Sequence, residues 1–161
     1  MNVPVPAVAP RKHTEVAVGI LLRSDGALLL STRPPGKPYA GYWEFPGGKL
    51  EEGETVEQVA QRESEEEAGL KLTEFWPMLS YQSSPGGSTE RIYLVLARLT
   101  EAVETGVYGL ASEQEDIKVH SLSRQTAMQL LLDGKIDNAA TVIALQWLAL
   151  NLDKVRKGWA E

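Results

Sequence analysis

The chain has 161 residues, 43% of them hydrophobic, which is enough for one buried core and short of what two domains need. Its 22 acidic against 16 basic residues, a net charge of −6, exclude a nucleic-acid polymer held on a general basic surface, so a phosphate ligand needs cations as intermediaries. The absence of cysteine excludes disulfides and thiolate metal sites.

Residues 1–12 read as a flexible N-terminal arm, because Pro4, Pro6 and Pro10 oppose both helix and sheet pairing. The same prolines interrupt any signal-peptide apolar core, and the Val142 to Leu152 run is short and broken by Gln146. No membrane segment is expected, the compartment is read as cytoplasmic, and a single domain is expected over residues 13–155. Glu15 to Leu22 and Ala27 to Thr32 are aliphatic runs joined by the turn Ser24-Asp25-Gly26, a hairpin pattern. Arg33 to Gly41 is a loop rich in Pro and Gly in which Arg33 and Lys37 either meet a phosphate or solvate a turn. Tyr42 to Phe45 forms a short strand leading into a loop, Pro46-Gly47-Gly48, where a ligand can approach backbone unhindered by side chains. Its aromatics serve more often as core than as base-stacking platforms.

Thr55 followed by Gln58 is a capping-box start and Gly69 a C-terminal stop, which predicts a helix over Val56 to Ala68. At about 100° per residue, Glu63, Glu66 and Glu67 share the face of Val56, Val59 and Ala60. Three carboxylates crowd the end where the macrodipole already disfavours negative charge. Arg62 can serve one of them, and a hard divalent cation bound through oxygen suits the others.

Strands come next at Leu72 to Gln82 and Arg91 to Leu99, then a long, irregular, acidic connection from Thr100 to Asp116, then a strand over Ile117 to Leu122. Ser123 caps a helix that Gly134 ends, and Asn138 or Asp137 opens a last helix with Val142, Leu145, Trp147 and Leu148 on its packing surface. The expected fold class is α/β (α+β), an α/β/α sandwich with a mixed β-sheet.

Gly48, Glu54 after five residues, Arg62-Glu63 after seven more, then Glu66-Glu67 and Gly69-Leu70 resemble the Nudix box in spacing and in nearly every residue. Ser64 departs from it, standing where the family usually places an aliphatic residue that packs the helix on the sheet. A serine there can return its hydroxyl to the carbonyl of Ala60, with some loss of packing. Upstream, Gly36-Lys37-Pro38-Tyr39-Ala40-Gly41-Tyr42-Trp43-Glu44-Phe45-Pro46-Gly47-Gly48 is similar to MutT-type nucleoside triphosphate pyrophosphohydrolases. From about Val59 onward, Ser84-Pro85-Gly86-Gly87, Glu115-Asp116-Ile117 and Gly134 to Ala140 are similar to bacterial ADP-ribose pyrophosphatases, with Pro85 sixteen residues after Gly69. That branch carries an extra N-terminal strand domain where this sequence shows only a short arm. The MutT branch carries a base-reading asparagine near the position of Asp137-Asn138-Ala139.

The resemblance implies a Nudix fold and a Mg²⁺-dependent hydrolase, with Mn²⁺ as a substitute, acting on a nucleotide small molecule. ADP-ribose cleaved to AMP and ribose 5-phosphate is the first expectation, (oxidised) nucleoside triphosphates the second, and a non-catalytic nucleotide-binding module the third. It implies metal ligation by the Gly47 carbonyl, Glu63, Glu66, Glu67 and Glu115, with Glu54 in support. The catalytic set is Glu113 as loop base, Glu66 and Arg62; Arg33, Lys37, Phe45 and Pro85 face the substrate. A homodimer is compatible with it.

Overall fold

Strand β1 (Thr14–Arg23) organises the sheet because its alternate side chains are buried on both faces, which only a central strand covered by helices on each side achieves. The computed structural model describes residues 12–72, 74–99, 106–108 and 117–160. Along one edge β1 pairs in parallel with β6 (Glu90–Leu99), from Thr14 opposite Glu90 to Arg23 opposite Leu99. Its other edge is shared. Leu21 and Leu22 pair with Leu29 and Leu28 of β2 (Leu28–Thr32), while Val16 to Val18 pair with Lys49 to Gly47 of β4 (Gly47–Lys49). Between these pairings the amide of Gly19 donates to the carbonyl of Pro46 at 2.9 Å. The sheet therefore splits at Gly19, and the chain that enters the split carries the two glycines.

The main sheet order is β5-β6-β1-β2-β8-β7, with β5 (Phe75–Gln82), β7 (Gly106–Tyr108) and β8 (Ile117–Leu122); the two-residue β3 (Trp43–Glu44) pairs with β2. β1 and β6 run parallel and the other pairings are antiparallel, so the sheet is mixed as expected. Two strands depart from the sequence expectation. Pro46-Gly47-Gly48 was expected as loop, yet Gly47 and Gly48 belong to β4, because a ladder needs only backbone groups. The connection expected to be irregular from Thr100 to Asp116 contains β7, whose three residues pair with Tyr108 opposite Ile117.

Val18, Ile20, Leu22, Leu28, Leu30, Leu94 and Leu96 face α2 (Arg124–Leu132) and α3 (Ala139–Ala160), meeting Ala127, Ala144, Leu145, Leu148 and Val155. Leu21, Leu29, Ala97 and Val119 point the other way, toward Ala68 at the end of α1 (Val56–Ala68). The period of two along β1 thus fills both interfaces of an α/β/α sandwich. No helix among the described residues is long and apolar enough to cross a membrane.

Candidate functional site

The helix α1 begins and ends where its sequence predicts. Thr55 Oγ1 accepts the amide of Gln58 at 3.2 Å, Gln58 Oε1 accepts the amide of Thr55 at 2.8 Å, and Gly69 ends the helix at φ +66° with its amide on the carbonyl of Glu65. Both ends being fixed, the rotation of the acidic face is fixed too. The buried face consists of Val59, Ala60, Ser64 and Ala68, three of them small, so the helix lies close on β1. Ser64 is fully buried against Gly19, where an added Cβ would stand 3.4 Å from its Oγ. Its hydroxyl has no hydrogen-bond partner, which corrects the expected bond to the carbonyl of Ala60.

Arg62 is the hub of the box. Its Nε and Nη2 donate to the two oxygens of Glu54 at 3.0 and 3.2 Å, a bidentate fork, and Nη1 donates to Glu63 Oε1 at 2.6 Å. Glu66 Oε2 lies 3.8 Å from the same Nη1, and the carbonyl of Lys49 accepts from Nη2 at 3.3 Å. Glu54 also accepts the amide of Glu51 at 2.8 Å, so one carboxylate ties the β4–α1 loop to the helix. Hydrogen bonding to Arg62 and to that amide holds the Glu54 carboxyl below the usual carboxylate range. Reciprocally, the Glu54 hydrogen bonds raise the Arg62 pKa, and the guanidinium stays charged at any relevant pH.

The two glycines are required by close approach. A Cβ on Gly48 would overlap the Glu63 carboxylate, and one on Gly47 would stand 2.8 Å from the carbonyl of Ala17. Glu63, Glu66, Arg62, Glu54 and the Gly47–Gly48 backbone are thereby gathered. Among the described residues, no three His, Cys, Asp or Glu side chains form a group arranged to hold a metal; Arg62 supplies the positive charge between Glu63 and Glu66.

Glu67 opens onto a cavity of about 220 Å³ that Arg33, Lys37, Glu44 and Ile117 also line. Arg33 Nε donates to Glu44 Oε1 at 2.8 Å, and this pair separates the cavity from a second of about 310 Å³ bounded by Tyr39, Tyr42, Asp137 and Asn138. Tyr39 is 67% exposed, holds φ +62°, and meets the Tyr42 ring edge-on at 5.2 Å. The structure thus brings Arg33, Lys37 and Glu67 to one groove. Phe45 does not join them: it is 4% exposed within the main core, which corrects its expected place against the substrate. Pro85 sits on the exposed β5–β6 turn and lines neither cavity. Glu113 and Glu115 lie outside the described residues. Glu44, Tyr39 and Tyr42 are the groove residues the sequence left unassigned; Glu44 could have been found only by folding the loop 33–42, which brings it to Arg33 across eleven positions.

A further cavity of about 260 Å³, between Arg23, Arg98 and the end of α3, lies at the opposite end of β1 from the box and includes none of its residues.

The fold and the sequence are similar to those of known proteins. A solved MutT structure, from work on Aliivibrio salmonicida and Vibrio cholerae, superposes with a TM-score of 0.58 at 26% identity, covering 73% of this chain and 86% of the other. A solved ADP compounds hydrolase shares the fold with a TM-score of 0.72 at 22% identity over 89% of this chain and 75% of the other. The ADP-ribose pyrophosphatase of Escherichia coli (strain K12) is 49% identical over 117 residues, 73% of this chain; the match spans 56%, just over half, of that relative's length. The NUDIX domain model matches residues 12–145, and with the box, the mixed sheet and the two helical layers in place, the chain belongs to the NUDIX domain family.

Proposed function

We propose that this chain is a divalent-cation-dependent pyrophosphohydrolase of nucleoside diphosphates linked to a second moiety, with ADP-ribose as first substrate and AMP and ribose 5-phosphate as products. The observation that carries the proposal is the cluster of Glu54, Arg62, Glu63 and Glu66 packed against Gly48, with Glu67 opening from the same helix onto a groove that carries Arg33 and Lys37. Acids at one end and bases at the other suit a diphosphate whose charge is divided between a cation and guanidinium or ammonium groups. Naming of an E. coli relative as an ADP-ribose pyrophosphatase supports the substrate.

Glu63, Glu66, Glu67 and the Gly47 carbonyl would hold Mg²⁺, or Mn²⁺ in its place, the cation taking over the charge that Arg62 now supplies between Glu63 and Glu66. All are oxygen donors suited to a hard cation, and the absence of a side chain at Gly48 leaves the Glu63 carboxylate its place. Such a cation supplies charge neutralisation of the diphosphate and a lowered pKa for the attacking water. Within the chain, Arg62 sets Glu63 by hydrogen bond and Glu54 sets Arg62. The assignment of Glu113 as proton acceptor rests on its place in the acidic stretch before β8 and on the family resemblance.

The test is a panel of ADP-ribose, sugar nucleotides, dGTP and 8-oxo-dGTP with product identification, run with and without Mg²⁺. AMP and ribose 5-phosphate are the expected products. The MutT likeness supports a second reading, nucleoside triphosphates cleaved to the monophosphate and pyrophosphate. A tenfold kcat/KM preference for a triphosphate, about 1.4 kcal/mol of transition-state discrimination, would establish that reading in place of the first. Nucleotide binding without metal-dependent turnover on any member of the panel would instead identify a binding module.

A further inference from the structure

The carboxamide of Asn138 is engaged at both ends. Oδ1 accepts the amide of Thr141 at 3.0 Å, capping α3, and Nδ2 donates to the carbonyl of Trp43, 95 positions earlier in the chain. Trp43 opens β3, a strand of two residues paired to β2 through Thr32 and Ser31, with the Arg33 amide on the Tyr42 carbonyl at 3.2 Å just before it. So short a ladder fixes little by itself. The residues directly after Trp43 build the site: Glu44, which holds Arg33; buried Phe45; Pro46, whose carbonyl takes the Gly19 amide; then Gly47 against β1 and Gly48 against Glu63. The Trp43 ring is steadied separately by His120, with ring centroids 4.7 Å apart.

We propose that Asn138 is a positioning residue: by holding the Trp43 carbonyl it locks β3 to the start of α3, and so sets both the Arg33–Glu44 wall of the groove and the approach of Gly48 to Glu63. A residue that reads a nucleobase must offer its amide groups to the ligand. Asn138 has committed one N–H and one oxygen lone pair to the protein, and these two bonds fix its carboxamide as a tether at the border of the groove.

Asn138→Asp separates the two bonds, since a carboxylate still accepts from Thr141 at the helix start but has nothing to donate to Trp43. Amide hydrogen exchange of residues 43–48 should speed up at least about tenfold in this variant, while the first turn of α3 keeps its protection. Asn138→Ala should loosen both. This half of the test needs no substrate. The other half rests on the pyrophosphohydrolase reading: Asn138→Asp should lower kcat about tenfold, shift KM less than about threefold, and leave the preference between adenine and guanine substrates unchanged. Wild-type exchange over 43–48, an unchanged kcat, or a tenfold change in base preference would each overturn the proposal. If the wild-type protein hydrolyses no diphosphate at all, the functional reading fails and the exchange comparison alone decides the tether.

Discussion

Helices α1 and α3 cover opposite faces of one sheet and are held there by different forces. α3 buries Ala144, Leu145, Leu148, Leu152 and Val155, each at most 9% exposed, and its attachment is hydrophobic. α1 buries little beyond Val59, Ala60, Ser64 and Ala68, and it depends on a capping box, a left-handed glycine stop and the Glu54–Arg62 fork. The difference separates two duties. A helix that must present half-buried carboxylates near its C-terminus cannot also carry a broad apolar face, so the sheet is stabilised mainly from the side that carries no box residue.

Substitutions should therefore divide by face, activity falling on one side and stability on the other. The largest effects belong to the carboxylates. Glu67→Gln should remove most turnover while leaving the melting temperature nearly unchanged, since it deletes a charge from a helix end that disfavours it; unchanged turnover at saturating Mg²⁺ would end the metal assignment. Glu113→Gln should lower kcat by about 10²- to 10⁴-fold, the range for a lost general base, with KM nearly constant. Comparable rates for Glu113→Gln and wild type would move the base elsewhere. On the other face, Leu148→Ala should cost about 2–5 kcal/mol of unfolding free energy in a denaturant titration, with kcat per folded molecule preserved. A loss of kcat in that variant comparable to the carboxylate mutants would dissolve the division between the faces.

The helices were legible because their signals are local: Thr55, Gln58 and Gly69 define α1 to the residue, Ser123 caps α2 as its side chain predicts, and of the two candidates Asp137 and Asn138 it is Asn138 that caps α3. β4 was hidden because Gly47 and Gly48 have no side chains to show a period, while β7 is three residues long. Box spacing announced Glu63, Glu66 and Arg62, yet not that the guanidinium would bridge Glu54, Glu63 and Glu66, which depends on how the β4–α1 loop folds back. Phe45 stands two residues before Gly47, in the link between β3 and β4, and still packs into the core, a placement set by tertiary packing that no local pattern announces.

Ser64 tests the same contrast at smaller scale. A buried hydroxyl without a partner has lost its water and gained nothing for it, at a typical cost of about 1–3 kcal/mol. Ser64→Ala should therefore stabilise the protein by about 1 kcal/mol, helped by the better helix propensity of alanine, with activity unchanged. A less stable Ser64→Ala variant would show that the hydroxyl is bonded after all. A bulky aliphatic residue there meets β1 at Gly19 and should destabilise instead.

The smallest effect lies on the α3 side, where His120 Nε2 is 3.0 Å from Thr32 Oγ1 and its ring packs on Trp43. Burial first, and the charge of Lys118 second, push its pKa below the usual histidine value, so the folded protein keeps this imidazole neutral where the unfolded chain would protonate it. Well above about pH 6.5 both states are neutral and His120 adds no pH dependence. Below that value the unfolded state binds more protons than the native one, and stability falls as pH is lowered until the folded pKa is reached, with a slope of at most about 1.4 kcal/mol per pH unit for one proton. Glu54 acts in the same direction but in a lower window: its depressed pKa contributes stability present above the unfolded carboxylate value, near about 4.3, and lost as pH falls through the folded value. Denaturant titrations between pH 7 and 5 isolate the histidine, because His120→Gln retains a hydrogen-bonding group near Thr32 but cannot titrate. The wild-type protein should lose more stability across that interval than the variant; equal losses would mean that His120 is protonated as readily in the folded protein as in the unfolded chain.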